Sequence, residues 1–168
     1  MKSKGFSLLE LMIGIVIVGA LMAVGVPAMS EFTVQMRVDN EIGDMRRALL
    51  SARNSAVTSG YQTTICPLDN GNNCTTNWEN EISVFTDIDG DEVYEPASDE
   101  LLITIKEAVG STDSFTYNRA ATNAITYTPD GTIRGVNNGT FLFCPNGYDK
   151  FARGIIISQS GRSRKTTD

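Results

Sequence analysis

The stretch Met1-Lys2-Ser3-Lys4-Gly5-Phe6-Ser7-Leu8-Leu9-Glu10 opens the chain and leads into an apolar run that ends at Val26, before Pro27. The run 6–26 has 21 residues. A helix of that length rises about 30 Å, which matches the hydrocarbon core of a bilayer. Glu10 is the one charged residue of the run. A carboxylate in such a segment is costly, and it therefore marks a functional residue.

The charges that flank the apolar run predict its orientation. Lys2 and Lys4 precede the run, and the positive-inside rule then places the N-terminus in the cytoplasm and the rest of the chain outside it. A secretory signal peptide is the alternative. It is disfavoured because the run is long for a signal peptide and no small-x-small cleavage site precedes a polar mature start.

Residues 4–13, Lys-Gly-Phe-Ser-Leu-Leu-Glu-Leu-Met-Ile, resemble the N-terminus of type IV pilins and type II secretion pseudopilins. The resemblance implies that 1–5 is a prepilin leader and that a prepilin peptidase cuts between Gly5 and Phe6. The peptidase then methylates the new amine of Phe6. It also implies a single-pass inner-membrane protein with a periplasmic globular domain, which later joins other pilin subunits in a pilus at the cell surface.

The chemistry of Glu10 agrees with that resemblance. A lone carboxylate in hydrocarbon needs a partner, and one helix cannot fold back to offer it the amine of its own Phe6. A neighbouring subunit displaced along a filament can offer its amine, so Glu10 is predicted to be an assembly residue. The alternative is that Glu10 extends to the membrane interface.

The helix is predicted to continue past Pro27, with a bend there, as far as Ser59. Charged residues separate the members of an apolar stripe that is best spaced from Val38 onward, and Gly60 is the predicted end of the helix. Segment 27–59 should therefore lie on the globular domain. The stripe comprises Phe32, Val34, Met36, Val38, Ile42, Met45, Leu49, Ala52 and Val57.

From residue 60 to 168 the pattern changes to short alternating runs separated by Gly, Pro, Asn and Asp. This pattern predicts an α+β protein, in which a mostly antiparallel β domain packs on one long helix, and the resemblance implies the pilin fold. The predicted strands are Gln62–Cys66, Ile82–Thr86, Leu101–Lys106, Ser114–Tyr117, Ala124–Thr128, Thr132–Gly135, Thr140–Phe143 and Gly154–Gln159.

Segments along the rest of the chain are similar to the FimT/FimU/GspH group of minor pilins. They include 48–57, 64–67, 84–91, 100–102, 143–145, 153–158 and 161–164. The similarity implies a low-abundance subunit that acts in pilus assembly or at the filament tip. A GspH-type minor pseudopilin of type II secretion is the alternative.

The C-terminal tail is basic on a chain whose formal net charge is −6. Arg162, Arg164 and Lys165 are clustered, and Arg153 lies one predicted strand earlier. Such side chains suit phosphates without reading sequence. Gly161-Arg162-Ser163-Arg164 resembles the tail through which FimT-type pilins bind double-stranded DNA in natural transformation. The alternative is a solvated, frayed terminus.

An acidic segment carries Asp87, Asp89 and Asp91 around Gly90, with the Val93 carbonyl and Glu95 beyond. Alternating oxygen ligands resemble the start of a calcium loop. The glycine is too early and Ser98 stands where a glutamate is needed, so an acidic hairpin tip is the preferred interpretation, and no cofactor is expected.

Three cysteines are an odd number for an exported domain, which leaves one free thiol. Cys66–Cys74 is the favoured disulfide, and Cys66–Cys144 stays open. The chain contains no histidine, so a Cys–His or Ser–His nucleophile is unavailable. We expect no enzymatic activity.

Overall fold

The computed structural model describes residues 7–119 and 122–166. Contacts divide the chain into a first unit that ends at Met36 and a second unit that begins at Arg37. The main elements are the helix α1 (Leu8–Ser59) and the strands β1 (Gln62–Pro67), β2 (Ile82–Asp87), β3 (Leu102–Lys106), β4 (Ser114–Tyr117), β5 (Ile125–Tyr127), β6 (Gly139–Cys144), β7 (Arg153–Ile157) and β8 (Ser163–Lys165).

Helix α1 is continuous through Pro27, and the bend there stays a prediction. It ends where Gly60 adopts a φ of +77° and donates its N–H to the carbonyl of Ala56 at 3.1 Å. A left-handed residue after the last turn is a common helix stop, and glycine adopts it without strain. The helical stripe is buried from Val38 onward, at Val38, Ile42, Met45, Ala48, Leu49, Ala52 and Ala56. Phe32, Met36 and Val57, which the predicted stripe includes, are exposed.

The strands of the second unit form two four-stranded antiparallel sheets among the described residues. The first has the order β3-β2-β1-β5 and the second β4-β6-β7-β8. Strands β1, β2 and β5 are buried at nearly every position, whereas β4 and β6 alternate between buried and more exposed residues. The second sheet therefore has one face in the core and one toward solvent. This architecture confirms the predicted α+β class.

Aromatic side chains fill the core beside the second sheet. Phe115 stacks on Phe141 at 5.3 Å between ring centres, and Trp78 meets Phe141 edge-on at 4.9 Å. The Trp78 indole N–H donates to the carbonyl of Thr122 at 3.3 Å, so its polar atom is satisfied inside the core.

The structure differs from the predicted strands in two places: one predicted strand does not form, and one strand was not predicted. The predicted strand 132–135 supplies only one bridge, between Ile133 and Tyr127. The basic tail, by contrast, forms β8, which pairs with β7 in the register Ile157–Ser163, Ile156–Arg164 and Ile155–Lys165. Segment 163–165 has no apolar alternation, so its strand conformation comes from pairing with β7 rather than from its own pattern.

Candidate assembly and binding surfaces

The first candidate surface lies at the start of α1. The predicted cleavage site, Gly5 and Phe6, lies outside the described residues, as does the start of segment 6–26. Within them, the backbone N–H of Ser7 donates to Glu10 Oε2 at 3.1 Å, and Ser7 Oγ accepts the N–H of Leu9 at 3.2 Å. This is a variant of the capping box, in which Ser7 caps the N–H of Leu9 instead of that of Glu10, and it satisfies two backbone donors at the start of the helix. Glu10 is therefore held against the helix end of its own chain.

Beyond Glu10 the first unit exposes apolar side chains along its length. From Leu8 to Met29 the large apolar residues that are described are 48–76% exposed. A shallow groove of about 480 Å³ begins at Glu10 and is lined by Leu11, Gly14, Ile15, Val18, Gly19 and Met22. Nothing lies within 4 Å of a Cβ placed on Gly14 or Gly19.

In the part of the chain that the structure describes, no helix combines the length and the apolar character needed to cross a membrane.

The second candidate surface is the basic tail. Arg162, Arg164 and Lys165 are exposed on or beside β8, which has β7 as its neighbour at the end of the second sheet. Side chains alternate across a strand, so Arg164 lies on the face of Ile156, while Lys165 lies on the face of Ile155. Half-buried Arg153 has the same parity as Ile155 and Ile157 in β7. The tail residues are thus brought to one edge but divided between its two faces.

The turn before β8 is fixed by close packing. Gly161 adopts a φ of +73°, and a Cβ on it would overlap the carbonyl oxygen of Gly131. Arg53, on α1, donates from Nε to that same carbonyl at 3.0 Å and from a terminal nitrogen to Ser160 O at 3.3 Å. The glycine of the Gly-Arg motif therefore has a structural reason, and Arg162 begins from an ordered turn.

The acidic segment brings together a set of carboxylates different from the predicted one. Asp87, Asp89 and Glu100 place ligand oxygens within 4.8 Å of one another. Asp91 instead accepts the N–H of Val93 at 2.8 Å. Asp91 is not a member of this cluster, and Glu100, from beyond the loop, is the third carboxylate in place of it.

The oxygens of this cluster already accept hydrogen bonds from the protein. Asp87 accepts the Thr64 hydroxyl at 2.6 Å and the Gly90 N–H at 2.8 Å. Glu100 accepts the N–H groups of Ile88 at 3.0 Å and of Glu95 at 2.7 Å. Burial, followed by the charges of the two aspartates, raises the pKa of Glu100, against the lowering effect of its hydrogen bonds. These contacts tie the loop together and suit the hairpin-tip interpretation.

Cys66 and Cys74 are joined by a disulfide, and Cys144 is a half-buried thiol. Within the closed loop, Asp69 Oδ1 accepts the N–H groups of Gly71 and Asn73, each at 2.8 Å. Hydrogen bonds from Asn73 and Gly71 hold the pKa of Asp69 below its usual value.

The pilin class is defined by a long N-terminal helix. Its first part is an apolar segment with one carboxylate, and its later part packs on antiparallel sheets. More narrowly, the chain belongs to the GspH family: the family model described as type II transport protein GspH matches residues 41–161. The prokaryotic N-terminal methylation motif matches residues 1–26. The chain is therefore a type IV minor pilin or a pseudopilin.

Solved structures agree with this fold. A crystal structure of the type IV minor pilin FimU from Pseudomonas aeruginosa matches with a TM-score of 0.63 at 20% identity, covering 81% of this chain and 92% of the crystallised FimU chain. A second crystal form matches with a TM-score of 0.60 at 20% identity, covering 77% and 92%. No curated protein sequence matches at a significant level.

Three residues with roles in these surfaces were not predicted from the sequence: Ser7, Glu100 and Arg53. The Ser-x-x-Glu spacing of Ser7 and Glu10 is a recognised capping-box signal. Glu100 and Arg53 act across long sequence separations, and no local pattern points to their partners.

Proposed function

We propose that this chain is a minor pilin of a type IV pilus that is stored in the inner membrane and assembled at or near the filament tip. The observation that carries the proposal is Glu10, a carboxylate held at the helix end beside an exposed apolar groove. The methylation motif supports cleavage between Gly5 and Phe6 by a prepilin peptidase. Lys2 and Lys4 before the apolar run support a cytoplasmic N-terminus and a periplasmic globular domain.

In the filament, the methylated amine of Phe6 from a neighbouring pilin subunit takes the place of the Ser7 N–H at Glu10. An ion pair in an apolar bundle stabilises assembly because the alternative is a poorly paired carboxylate. Gly14 and Gly19 leave the helix surface open, and small residues of this kind let helices approach closely.

The test is Glu10→Ala, with Asp39→Ala as the matched control, since Asp39 is an exposed carboxylate on the same helix. We expect the Glu10 variant to accumulate in membranes but to be lost from sheared filaments, while the control is recovered normally. Normal recovery of the Glu10 variant in filaments would overturn the proposal.

Capture of double-stranded DNA for natural transformation is a second candidate function. It is favoured by Arg162, Arg164 and Lys165, which are exposed along one sheet edge of an acidic protein. Contacts to phosphates would give binding that weakens steeply with salt and is insensitive to base sequence. Arg153 would contribute from the other face of that edge.

A gel shift of the full chain in neutral detergent tests DNA capture. We expect Arg162→Gln plus Arg164→Gln to weaken the shift and its salt dependence, whereas Arg46→Gln plus Arg47→Gln, with the same change in charge, leaves both unchanged. If the tail variant and the control variant shift DNA to the same extent, DNA capture through the tail is ruled out.

The alternative is a GspH-type minor pseudopilin of type II secretion, which the description of the matching family favours. Deleting the gene distinguishes a role in a type IV pilus from a role in type II secretion. We expect loss of surface pili with normal enzyme secretion, and the opposite pattern would assign the chain to secretion.

A further inference from the structure

Strand β3 is an open edge of the first sheet, with β2 as its neighbour among the described residues. Large apolar side chains are exposed in β3 and in the residue before it: Leu101 is 66% exposed, Leu102 42% and Ile105 45%. An exposed edge with apolar side chains is a template for pairing with another strand. A groove of about 420 Å³ runs between this edge and α1 and is lined by Ile105, Thr104 and Asp44, among others.

Carboxylates surround this open strand. Exposed Glu81 lies next to Ile82, which pairs with Lys106 at the end of β3. Exposed Glu107 follows β3 directly. Exposed Glu95 and Asp99 lie on the loop that leads into Leu101. Two cations near the groove are paired within the chain, Lys106 with Glu41 and Arg47 with Asp44. We call β3 with Glu81, Glu95, Asp99 and Glu107 the acidic edge.

The second sheet ends at β8, which carries Arg164 and Lys165 and follows Arg162. We call these residues the basic edge. Pairing of two acidic edges, or of two basic edges, is disfavoured because like charges would then lie opposite each other. The two edges are complementary to one another in charge and in unpaired backbone groups.

We propose that the acidic edge of one copy of this chain pairs with the basic edge of a second copy. The contact is heterologous, so it leaves one edge of each kind open and can extend beyond two copies. It goes beyond the proposed function because it needs neither Glu10 nor the apolar segment. It also places Arg162 and Arg164 in a protein contact, where DNA would compete for them.

Two charge-reversed variants of the full chain in neutral detergent provide the test. One is Arg162→Glu plus Arg164→Glu, and the other is Glu95→Lys plus Glu107→Lys. Sedimentation velocity at low salt measures association of each variant alone and of an equal mixture. Arg46→Glu plus Asp149→Lys is the control for charge reversal at the surface, since both residues are exposed and neither belongs to the acidic edge or the basic edge.

We expect the wild-type chain and the control to associate, and each reversed variant alone to associate about tenfold or more weakly, because like charges then face each other. The mixture should recover association, since each variant keeps the edge that complements its partner. The same pattern should persist with Glu10→Ala, which separates this contact from filament assembly. A monomeric wild-type chain, association that survives both reversals, or a mixture that fails to recover would each overturn the proposal.

Discussion

Lys106 Nζ lies 2.8 Å from Glu41 Oε2, which ties β3 to α1 within the second unit. The Lys106 side chain is 4% exposed and that of Glu41 is 21% exposed. Nζ also donates to the carbonyl of Glu107 at 3.0 Å and lies 5.4 Å from the centre of the Phe115 ring. A buried ammonium thus depends on one carboxylate for charge compensation.

Removing that carboxylate should destabilise the second unit. We expect Glu41→Ala to lower the free energy of unfolding by about 3 kcal/mol, because it leaves a buried cation unpaired. Chemical denaturation followed by Trp78 fluorescence measures the change. The double variant Glu41→Leu plus Lys106→Met should regain most of the loss, and Asp39→Ala should change little. A Glu41→Ala chain as stable as wild type would contradict this account of the pair.

The turn before β8 can be tested with two glycines that share a backbone conformation. Gly161 and Gly147 have φ values of +73° and +74°, but only at Gly161 would a Cβ meet a neighbouring carbonyl. Alanine at either position should cost about 1 kcal/mol of unfolding free energy for the left-handed conformation. Gly161→Ala should cost a further 1–3 kcal/mol or so, from overpacking against Gly131. Equal melting temperatures for the two variants would show that the turn has room to relax.

Two tyrosines predict the alkaline behaviour of the fold. Burial raises the pKa of Tyr117 from 10.0 to about 12, and burial raises that of Tyr127 as well. Since the pKa of Tyr117 is higher in the folded chain than in the unfolded chain, its contribution to stability is complete below pH 10. That contribution is lost as the pH rises from about 10 toward about 12.

Tyrosinate absorbance during an alkaline titration checks this prediction. We expect a late-ionising fraction that coincides with loss of near-ultraviolet circular dichroism and that is absent when Tyr117 and Tyr127 are both replaced by phenylalanine. Complete ionisation of the tyrosines near pH 10 in the folded protein would rule it out.

The sequence was most informative where the physics is local. From Val38 to Ala52 the predicted stripe follows the helical period and its residues are buried, whereas Val57, also in the stripe, is exposed. Gly60 follows the last helical residue and adopts a left-handed conformation. The alternation in 114–117 and 140–143 corresponds to β4 and β6, because each has one face in the core.

What the sequence did not predict depends on distant partners. Ser163, Arg164 and Lys165 have a loop-like composition and become a strand only because β7 supplies a template. Asp91 has the spacing of a ligand, but Glu100 joins Asp87 and Asp89 because the chain folds back after the loop. Neither outcome is encoded in the nearest residues.

Mass spectrometry of the native protein recovered from membranes and sheared filaments shows directly whether the leader has been removed and the new amine methylated. We predict a chain that begins at Phe6, carries one methyl group on its α-amine and has lost Met1 to Gly5. A native chain that retains Met1 and an unmodified start would contradict assembly through Glu10 and the amine of the adjacent subunit.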